Sequence, residues 1–222
     1  NTTMSASLYN PPDHYLVDEL YNDEHKIVRQ AARDWVDRAI KPVIEEYYEK
    51  AIFPLHLVKE MGENGLFGPF IPEEYGGAGL DHISYGLIMQ ELERGDSGVR
   101  SMASVQTSLV MYPIFSFGSE EQKRKYLPKL AAGELIGCFG LTEPNHGSDP
   151  GSMITRIKDM GDHYLLNGAK MWITNSTIAD VFIVWAKDDH GVVRGMILDK
   201  GMKGLSAPET HGKWSLRASV TG

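Results

Sequence analysis

The spacing of apolar residues changes near Gly133, and this change constrains the fold more than any other feature of the sequence. Before Gly133, apolar residues recur every three to four positions, which indicates amphipathic helices. One such set is Ile27, Ala31, Trp35 and Ala39. After it, short β-rich runs follow one another with turns between them and no helical pattern. We therefore predict an α+β chain, in which an all-α N-terminal domain (1–133) precedes an antiparallel, β-barrel-like domain (134–222).

Local signals set the ends of several predicted helices. Asp81 is expected to cap a helix that runs to Arg94, because its short carboxylate can accept from the first free N–H groups. Ser119 and Gln122 form a capping-box pattern at the start of another helix. Two further helices are predicted over 54–64, ended by Gly65, and over 97–115.

The strands are predicted from runs of β-branched and aromatic residues. These runs cover 135–141, 164–166, 171–173, 181–186 and 192–198. Asn167-Gly168 is the strongest short signal for a hairpin turn, and Asp188 to Gly191 marks a second turn. In a strand over 171–173, Trp172 and Thr174 would point to the same face of the sheet, since side chains alternate.

Charge and composition exclude several classes of protein. The chain carries 22 Lys+Arg against 30 Asp+Glu, and this acidic balance argues against a nucleic-acid partner. Cys138 is the single cysteine, so an internal disulfide and a cysteine-built zinc site are excluded. The scattered histidines predict no metal site. No stretch approaches the roughly 20 apolar residues of a membrane span, and the N-terminus lacks a secretory pattern, so we expect a protein that is not secreted.

Two segments are candidates for a ligand site. The first, Cys138–Pro150 (CFGLTEPNHGSDP), places glycines, prolines and small polar residues directly after an apolar strand. It is either a plain strand-to-loop junction or a backbone held open for a ligand. The second, Met171–Asn175 (MWITN), sets an indole beside a hydroxyl, which suits either core packing or the wall of a flat aromatic cofactor. Neither a Rossmann fingerprint nor a P-loop occurs.

Taken together, these segments resemble the flavin-binding signature of the acyl-CoA dehydrogenases. The loop Pro72–Gly79 and the segment Ser119–Gly133 are also similar to that family, so the resemblance extends over the whole chain. It implies a helical domain and a β domain, with FAD between the β domain and a C-terminal helical bundle that is absent from this chain.

The resemblance also assigns residues to the cofactor. The implied FAD contacts are Phe139, Gly140, Leu141, Thr142, Ser148, Trp172, Ile173 and Thr174. Trp172 matches an aromatic wall and Thr174 a hydroxyl donor near flavin N5, where a hydrogen bond stabilises developing negative charge. Ser148 also matches a contact to the acyl-CoA thioester arm. The alternative for each hydroxyl is a local hydrogen bond within a turn.

The resemblance also bears on the substrate, through the stretch that contains Arg100. The stretch around Arg100 and Ser101 resembles the glutaryl-CoA dehydrogenase branch, in which the matching residues bind the distal carboxylate, with the position of Glu93 close by. Arginine offers a charged, bidentate fork for such a group, whereas a cation beside a plain acyl chain would be costly. The alternative is that Arg100 forms a surface or interdomain ion pair with Glu93.

The resemblance implies an oxidoreductase that converts glutaryl-CoA to crotonyl-CoA with loss of carbon dioxide, in amino-acid degradation. Electrons would pass to an electron-transfer flavoprotein, and the full-length protein would be a homotetramer in the bacterial cytoplasm or mitochondrial matrix. The catalytic base is expected in the missing C-terminal region, so neither Glu93 nor Glu143 is assigned that role. Two alternatives stay open: a dehydrogenase of a short or branched monocarboxylic acyl-CoA, and a non-catalytic binding module that retains the first two domains.

Overall fold

A helical part precedes a sheet part in the computed structural model, which describes residues 13–222. Residues 1–12 lie outside the described residues. The expectation that the protein is not secreted depends on this N-terminal stretch. The α-helices are α1 (Asp23–Trp35), α2 (Ile44–Lys50), α3 (Leu57–Glu63), α4 (His82–Gly95), α5 (Ser97–Ser104), α6 (Tyr112–Phe117) and α7 (Glu120–Ala131). Within residues 13–222, no helix combines the length and the apolar character that a bilayer crossing requires.

The predicted helix caps are confirmed. The Asp81 carboxylate accepts from the N–H of Ser84 at 2.8 Å at the start of α4. Ser119 and Gln122 form the reciprocal capping box of α7. Gly65 follows α3 with φ 66°, the left-handed conformation in which glycine is favoured because it has no Cβ.

The predicted apolar face of α1 is wrong in its first half. Ile27 is 68% exposed and Ala31 is also exposed, whereas Trp35 is buried. The buried face instead includes His25, which contacts the Asp81 carboxylate at 2.7 Å. A histidine thus occupies a core-facing position, which shifts the buried stripe by one residue relative to the apolar pattern.

A π-helical segment, Val105–Met111, joins α5 to α6 and forms hydrogen bonds with the start of the sheet part. Its Gln106 is fully buried. The Gln106 amide donates to the carbonyls of Leu130 (2.9 Å) and Leu135 (2.7 Å) and accepts from the N–H of Gly137 at 2.8 Å. Since every polar group of this side chain finds a backbone partner, Gln106 fastens the sheet to the helical part.

The sheet is centred on one long strand. The strands are β1 (Gly137–Gly140), β2 (Arg156–Asp159), β3 (Tyr164–Asn167), β4 (Val181–Lys187) and β5 (Val193–Asp199). β5 runs antiparallel along the whole of β4, and β3 runs antiparallel to β2. β1 pairs with β4 in parallel, and so does β2 through Arg156 and Lys187.

The predicted order of a helical part followed by a sheet part is confirmed, whereas the sheet is mixed rather than antiparallel. Among the described residues its strands do not close into a barrel. The long connection from β1 to β4, over 141–180, is what permits the parallel pairing, since a tight turn could join only antiparallel strands. The domain limits at 133 and 134 stay a prediction.

Two local predictions in the sheet part are wrong, and a third is confirmed. The β2–β3 hairpin turns at Met160–His163, and Asn167-Gly168 lies at the far end of β3. A Cβ on Gly168 would lie 2.3 Å from the Thr155 hydroxyl, so close packing explains this glycine. Residues 171–173 are irregular rather than a strand. The predicted turn at Asp188 does join β4 to β5.

Candidate functional site

β1 carries the first half of the candidate site. Cys138 is 1% exposed on its inner face, where burial raises the pKa of the thiol to about 12 and removes it as a nucleophile. Phe139 is half-buried on the other face, and its ring lies edge-on to that of Trp185 with centroids 5.8 Å apart. Leu141 and Thr142 follow the strand and are also half-buried, so they remain available to a ligand.

The second half of the candidate site lies beside the first. The ammonium of Lys170 donates to the carbonyl of Leu141 at 3.0 Å, and the N–H of Met171 donates to the carbonyl of Thr142 at 2.9 Å. The buried amide of Asn175 reaches the carbonyl of Gly137 at 3.2 Å. Two segments that are separate in sequence therefore form one surface.

Trp172 has an unusual backbone conformation. Its φ is 64°, in the left-handed region, and the residue is 55% exposed. For a bulky residue such a conformation costs on the order of 1–3 kcal/mol, and strained residues of this kind cluster at functional sites. Ile173 is buried, and Thr174 is half-buried and forms an isolated antiparallel bridge with Thr221. This bridge, rather than a strand, sets the direction of Thr174.

Trp172 and Thr174 line a cleft of about 360 Å³ together with a segment near the end of the chain. The other residues of its lining are Lys213, Trp214, Ser215, Leu216, Ser219 and Thr221. Sequence reasoning missed this second wall, although Lys213–Ser215 (KWS) repeats the indole-and-hydroxyl composition that drew attention to Met171–Asn175.

The second wall is anchored at both its start and its middle. The ammonium of Lys213 donates to the carbonyl of Leu216 at 3.0 Å, to the hydroxyl of Thr221 at 2.9 Å and to the carbonyl of Ser219. Burial lowers the pKa of this lysine. The guanidinium of Arg217 donates to the carbonyls of Tyr48 (3.1 Å) and Glu49 (2.8 Å) at the end of α2. The cleft wall is therefore tied to the helical part.

The composition of the cleft fits the flat ring of a flavin. An exposed indole offers a face for stacking, and Thr174 offers donors at its edge. Among residues 13–222, neither the hydroxyl nor the N–H of Thr174 donates to another protein group. A half-buried donor without a partner is suited to an acceptor on a ligand. Ser148 is exposed on the loop after β1. Of the eight predicted FAD contacts, only Trp172 and Thr174 line the cleft; the six that do not are Phe139, Gly140, Leu141, Thr142, Ser148 and Ile173.

The predicted carboxylate-binding residues lie on neighbouring helices. Arg100, on α5, places Nε 2.6 Å from the Glu93 carboxylate on α4 and Nη1 3.2 Å from the Ser104 hydroxyl. Burial raises the pKa of Glu93, but hydrogen bonds from Arg100 and Ser97 outweigh it, and the pKa is lowered overall. The ion pair that the sequence left as an alternative is thus present, and Ser101 lies half-buried beside it.

α5 also packs against the second wall of the cleft. A Cβ on Gly98 would lie 2.9 Å from the backbone nitrogen of Ser219 and 3.0 Å from the carbonyl carbon of Ala218. Only glycine permits this approach without a shift of the backbone. The helix that carries Arg100 and Ser101 therefore contacts the segment that lines the cleft.

No metal centre accompanies these residues in the part of the chain that the structure describes. Within residues 13–222, no group of three or more His, Cys, Asp or Glu side chains lies close enough to hold a metal ion.

Comparison with known proteins places both parts of the chain. The family model described as "Acyl-CoA dehydrogenase, N-terminal domain" matches residues 22–134, and "Acyl-CoA dehydrogenase, middle domain" matches residues 138–222. The short-chain specific acyl-CoA dehydrogenase of Clostridium acetobutylicum is 42% identical over 204 residues, which cover 89% of this chain and 53% of that protein. The chain thus spans about half the length of this curated relative.

Solved structures agree with the sequence comparisons. A glutaryl-CoA dehydrogenase of Mycobacterium smegmatis in complex with FADH2 has a TM-score of 0.91 and 48% identity, covering 93% of this chain and 53% of that chain. An acyl-CoA dehydrogenase of Bacillus anthracis complexed with FAD has a TM-score of 0.85 and 38% identity, covering 91% and 35%. The chain belongs to the acyl-CoA dehydrogenase family, of which it covers the N-terminal and middle domains.

Proposed function

We propose that this chain is part of an FAD-dependent acyl-CoA dehydrogenase, and that the flavin ring lies in the cleft between Trp172 and the segment 213–221. The observation that carries the proposal is the exposed, left-handed Trp172 beside Thr174, whose donors have no partner among residues 13–222. The two relatives solved with FAD or FADH2 support it. FAD, when bound, supplies the two-electron acceptor for oxidation of the acyl group.

The residues of the chain have distinct roles in this proposal. Phe139, Gly140, Leu141 and Thr142, which lie outside the cleft lining, are proposed to extend the ring site along the end of β1. Buried Ile173 is proposed to hold the backbone between Trp172 and Thr174. The Trp172 indole covers the ring, and the Thr174 hydroxyl donates to its edge. A donor that faces developing negative charge stabilises the transition state more than the ground state. Ser148, on the exposed loop, is proposed to contact the acyl-CoA thioester arm and the cofactor.

We propose glutaryl-CoA as the substrate, with decarboxylation to crotonyl-CoA. Two guanidinium nitrogens of Arg100 donate to Glu93 and Ser104. Among residues 13–222, its Nη2 has no acceptor. Its side chain is 33% exposed, so a substrate carboxylate can approach it without displacing Glu93. Ser101, the next residue of α5, is proposed as a second donor. The contact between α5 and the cleft wall supports a substrate that reaches from one to the other.

A dehydrogenase of short monocarboxylic acyl-CoA is the second candidate. The Arg100–Glu93 pair is neutral as a unit, so it does not require an anionic acyl chain. The similarity to the short-chain specific relative of Clostridium acetobutylicum supports this candidate.

Further proposals concern the whole protein. We propose that the catalytic base lies in a C-terminal helical bundle outside this chain, and that the full-length protein is a homotetramer. Its electrons would pass to an electron-transfer flavoprotein. A role in amino-acid degradation follows from the glutaryl-CoA substrate, in a bacterial cytoplasm or a mitochondrial matrix.

The test is an absorbance titration of the purified full-length protein with glutaryl-CoA and, separately, butyryl-CoA. We expect oxidised-flavin absorbance before titration and bleaching by glutaryl-CoA in the absence of oxygen. Bleaching by butyryl-CoA alone would support the second candidate. A purified protein that neither carries nor binds FAD would overturn the proposed cofactor.

A further inference from the structure

A buried ion pair joins the two sequence segments of the proposed flavin site, since Glu143 follows Thr142 and Lys170 precedes Met171. The ammonium of Lys170 is 2.9 Å from the Glu143 carboxylate, and the two side chains are 10% and 2% exposed. The same carboxylate accepts from the N–H groups of Ile154 (2.7 Å) and Thr155 (2.9 Å). Both oxygens of Glu143 are therefore satisfied by fixed partners, which holds the pair in one geometry.

Lys170 connects this pair to the end of β1 and to the segment that carries Trp172. Its ammonium donates to the carbonyl of Leu141 at 3.0 Å, and its stem lies against Gly140, where a Cβ would be 3.3 Å from the lysine Cγ. The residue is followed in the chain by Met171 and Trp172. One side chain thus touches the end of β1 and belongs to the segment that carries the indole.

Stability alone is a weak reason for such a pair. Desolvation of two charges offsets much of their attraction. A protein with apolar residues of similar volume in place of such a pair is often equally stable. Residues such as these, which hold the groups that meet a ligand, fix geometry instead. The hydrogen bond to the Leu141 carbonyl is the contact that joins the end of β1 to the segment that carries Trp172.

We propose that Glu143 and Lys170 are a positioning pair that holds Leu141 and Thr142 against Met171 and Trp172, and so sets the shape of the surface that meets the flavin. This inference rests on the proposed function. It assigns to neither residue a contact with the cofactor or substrate. It distinguishes the pair from more exposed ion pairs of the sheet part, such as that of Arg194 with Asp188.

The experiment uses the full-length protein and three variants: Lys170→Met, Glu143→Gln and the double variant Lys170→Met/Glu143→Gln. Methionine keeps the stem over Gly140 but removes the hydrogen bond to Leu141. Each single variant leaves one buried charge without its partner and is expected to unfold at a lower temperature. The double variant removes both charges and is expected to recover part of the midpoint, because the glutamine amide can accept from only one of the N–H groups of Ile154 and Thr155. Arg194→Met is the control, because it removes an exposed cation from β5.

The deciding readouts are the dissociation constant of FAD from the apoprotein and the absorbance bands of the bound flavin. The loss of a charged hydrogen bond changes an equilibrium by roughly tenfold or more. We therefore expect the double variant to bind FAD about tenfold more weakly than wild type, with shifted bands, although it is folded. Arg194→Met should match wild type in both.

The possible outcomes separate this inference from the proposed function. If wild type binds FAD and the stable double variant binds it equally well with the same bands, the pair is merely structural and the inference is wrong. If wild type does not bind FAD, the proposed function fails first, and the inference fails with it. Single variants that do not fold leave the double variant to decide.

Discussion

The Arg100 guanidinium lies 2.6 Å from the Glu93 carboxylate and one helical turn from the Ser104 hydroxyl, to which it also donates. This arrangement holds the cation at a fixed place between α4 and α5 while a third of its side chain stays exposed. The pair is compatible with two roles, a brace between the helices or an oriented receptor for a carboxylate, and the two roles differ in what they predict.

Arg100→Gln tests the substrate. If Arg100 binds the distal carboxylate of glutaryl-CoA, the ratio of kcat/KM for glutaryl-CoA to that for butyryl-CoA should fall by about 30-fold, which corresponds to about 2 kcal/mol. Steady-state assays with both substrates measure this ratio. The control is Arg38→Gln, which breaks the exposed pair of Arg38 with Glu60 in the same helical part. Equal losses for both substrates with a lower unfolding midpoint would show that Arg100 is only a brace.

Thr174→Val tests the proposed donor at the edge of the flavin. We expect flavin reduction to slow by up to about 100-fold, because the lost hydrogen bond matters most as negative charge develops on the ring. Substrate affinity should change much less. Stopped-flow bleaching of the flavin over a range of substrate concentrations separates the two quantities. Thr177→Val is the matched control, since Thr177 is half-buried nearby but does not line the cleft. An unchanged reduction rate would remove Thr174 from the mechanism.

Arg217→Met tests the link between the cleft wall and α2. The variant loses the hydrogen bonds to the carbonyls of Tyr48 and Glu49 and the stacking of the guanidinium over the Tyr48 ring. Hydrogen bonds from a charged group to helix-end carbonyls favour a loss of about 1–2 kcal/mol, or roughly 2–8 °C in the unfolding midpoint. Thermal unfolding followed by circular dichroism measures this change. A midpoint equal to that of Arg194→Met would contradict it.

The dependence of stability on pH tests Glu143. Burial raises the pKa of this carboxyl, but hydrogen bonds from Ile154, Thr155 and Lys170 outweigh burial and lower the pKa from 4.5 to about 2. A carboxyl whose pKa is lowered in the folded state stabilises the protein at pH values above its unfolded-state pKa. This contribution is lost as the pH falls towards and through its folded-state pKa. As the pH falls from 4.5 to 2, protonation of Glu143 should therefore lower the free energy of unfolding by on the order of 1 kcal/mol per pH unit.

Urea unfolding at pH 5, 4 and 3 measures that slope. In Glu143→Gln the slope should be shallower than in wild type, since the group no longer titrates. Other carboxyls with lowered pKa values, such as Asp81, contribute equally to both proteins and cancel in the comparison. Parallel slopes in the two proteins would show that Glu143 does not control the acid limb.

Features that depend on a few neighbouring residues could be predicted from the sequence. The Asp81 cap and the Ser119 capping box are hydrogen bonds between residues three apart, so the pattern itself contains both partners. The turn at Asp188 is local in the same way. The buried face of α1 could not be predicted in the same way, because His25 is buried through a partner 56 residues away rather than by its own hydrophobicity.

The sheet was harder to predict for two physical reasons. β2 (Arg156–Asp159) contains a single buried residue, Ile157, so it lacks the apolar run that identifies a strand. Parallel pairing of β1 with β4 depends on a long connection, and strand pattern alone does not reveal direction. The Asn167-Gly168 signal failed because Gly168 is required by the closeness of Thr155 rather than by a turn.

The candidate site could likewise be predicted only in part. The Trp172–Thr174 segment could be singled out from its composition and its resemblance to a family. Its left-handed backbone and its bridge to Thr221 could not, because both depend on contacts with a distant segment. The Glu143–Lys170 pair escaped notice for the same reason, since its members are 27 residues apart in irregular segments.

The bridge between Thr174 and Thr221 has a consequence for how the chain acquires its structure during synthesis. Its two halves are separated by roughly fifty residues, which a ribosome adds in several seconds at about 5–20 residues per second. Trp172 therefore leaves the ribosome well before the segment that completes its surroundings. Since this later segment also contacts Tyr48 and Gly98, we expect the cleft to form after the helices of residues 23–131 have packed. The cleft would then be absent from any folding intermediate that contains only the packed helices.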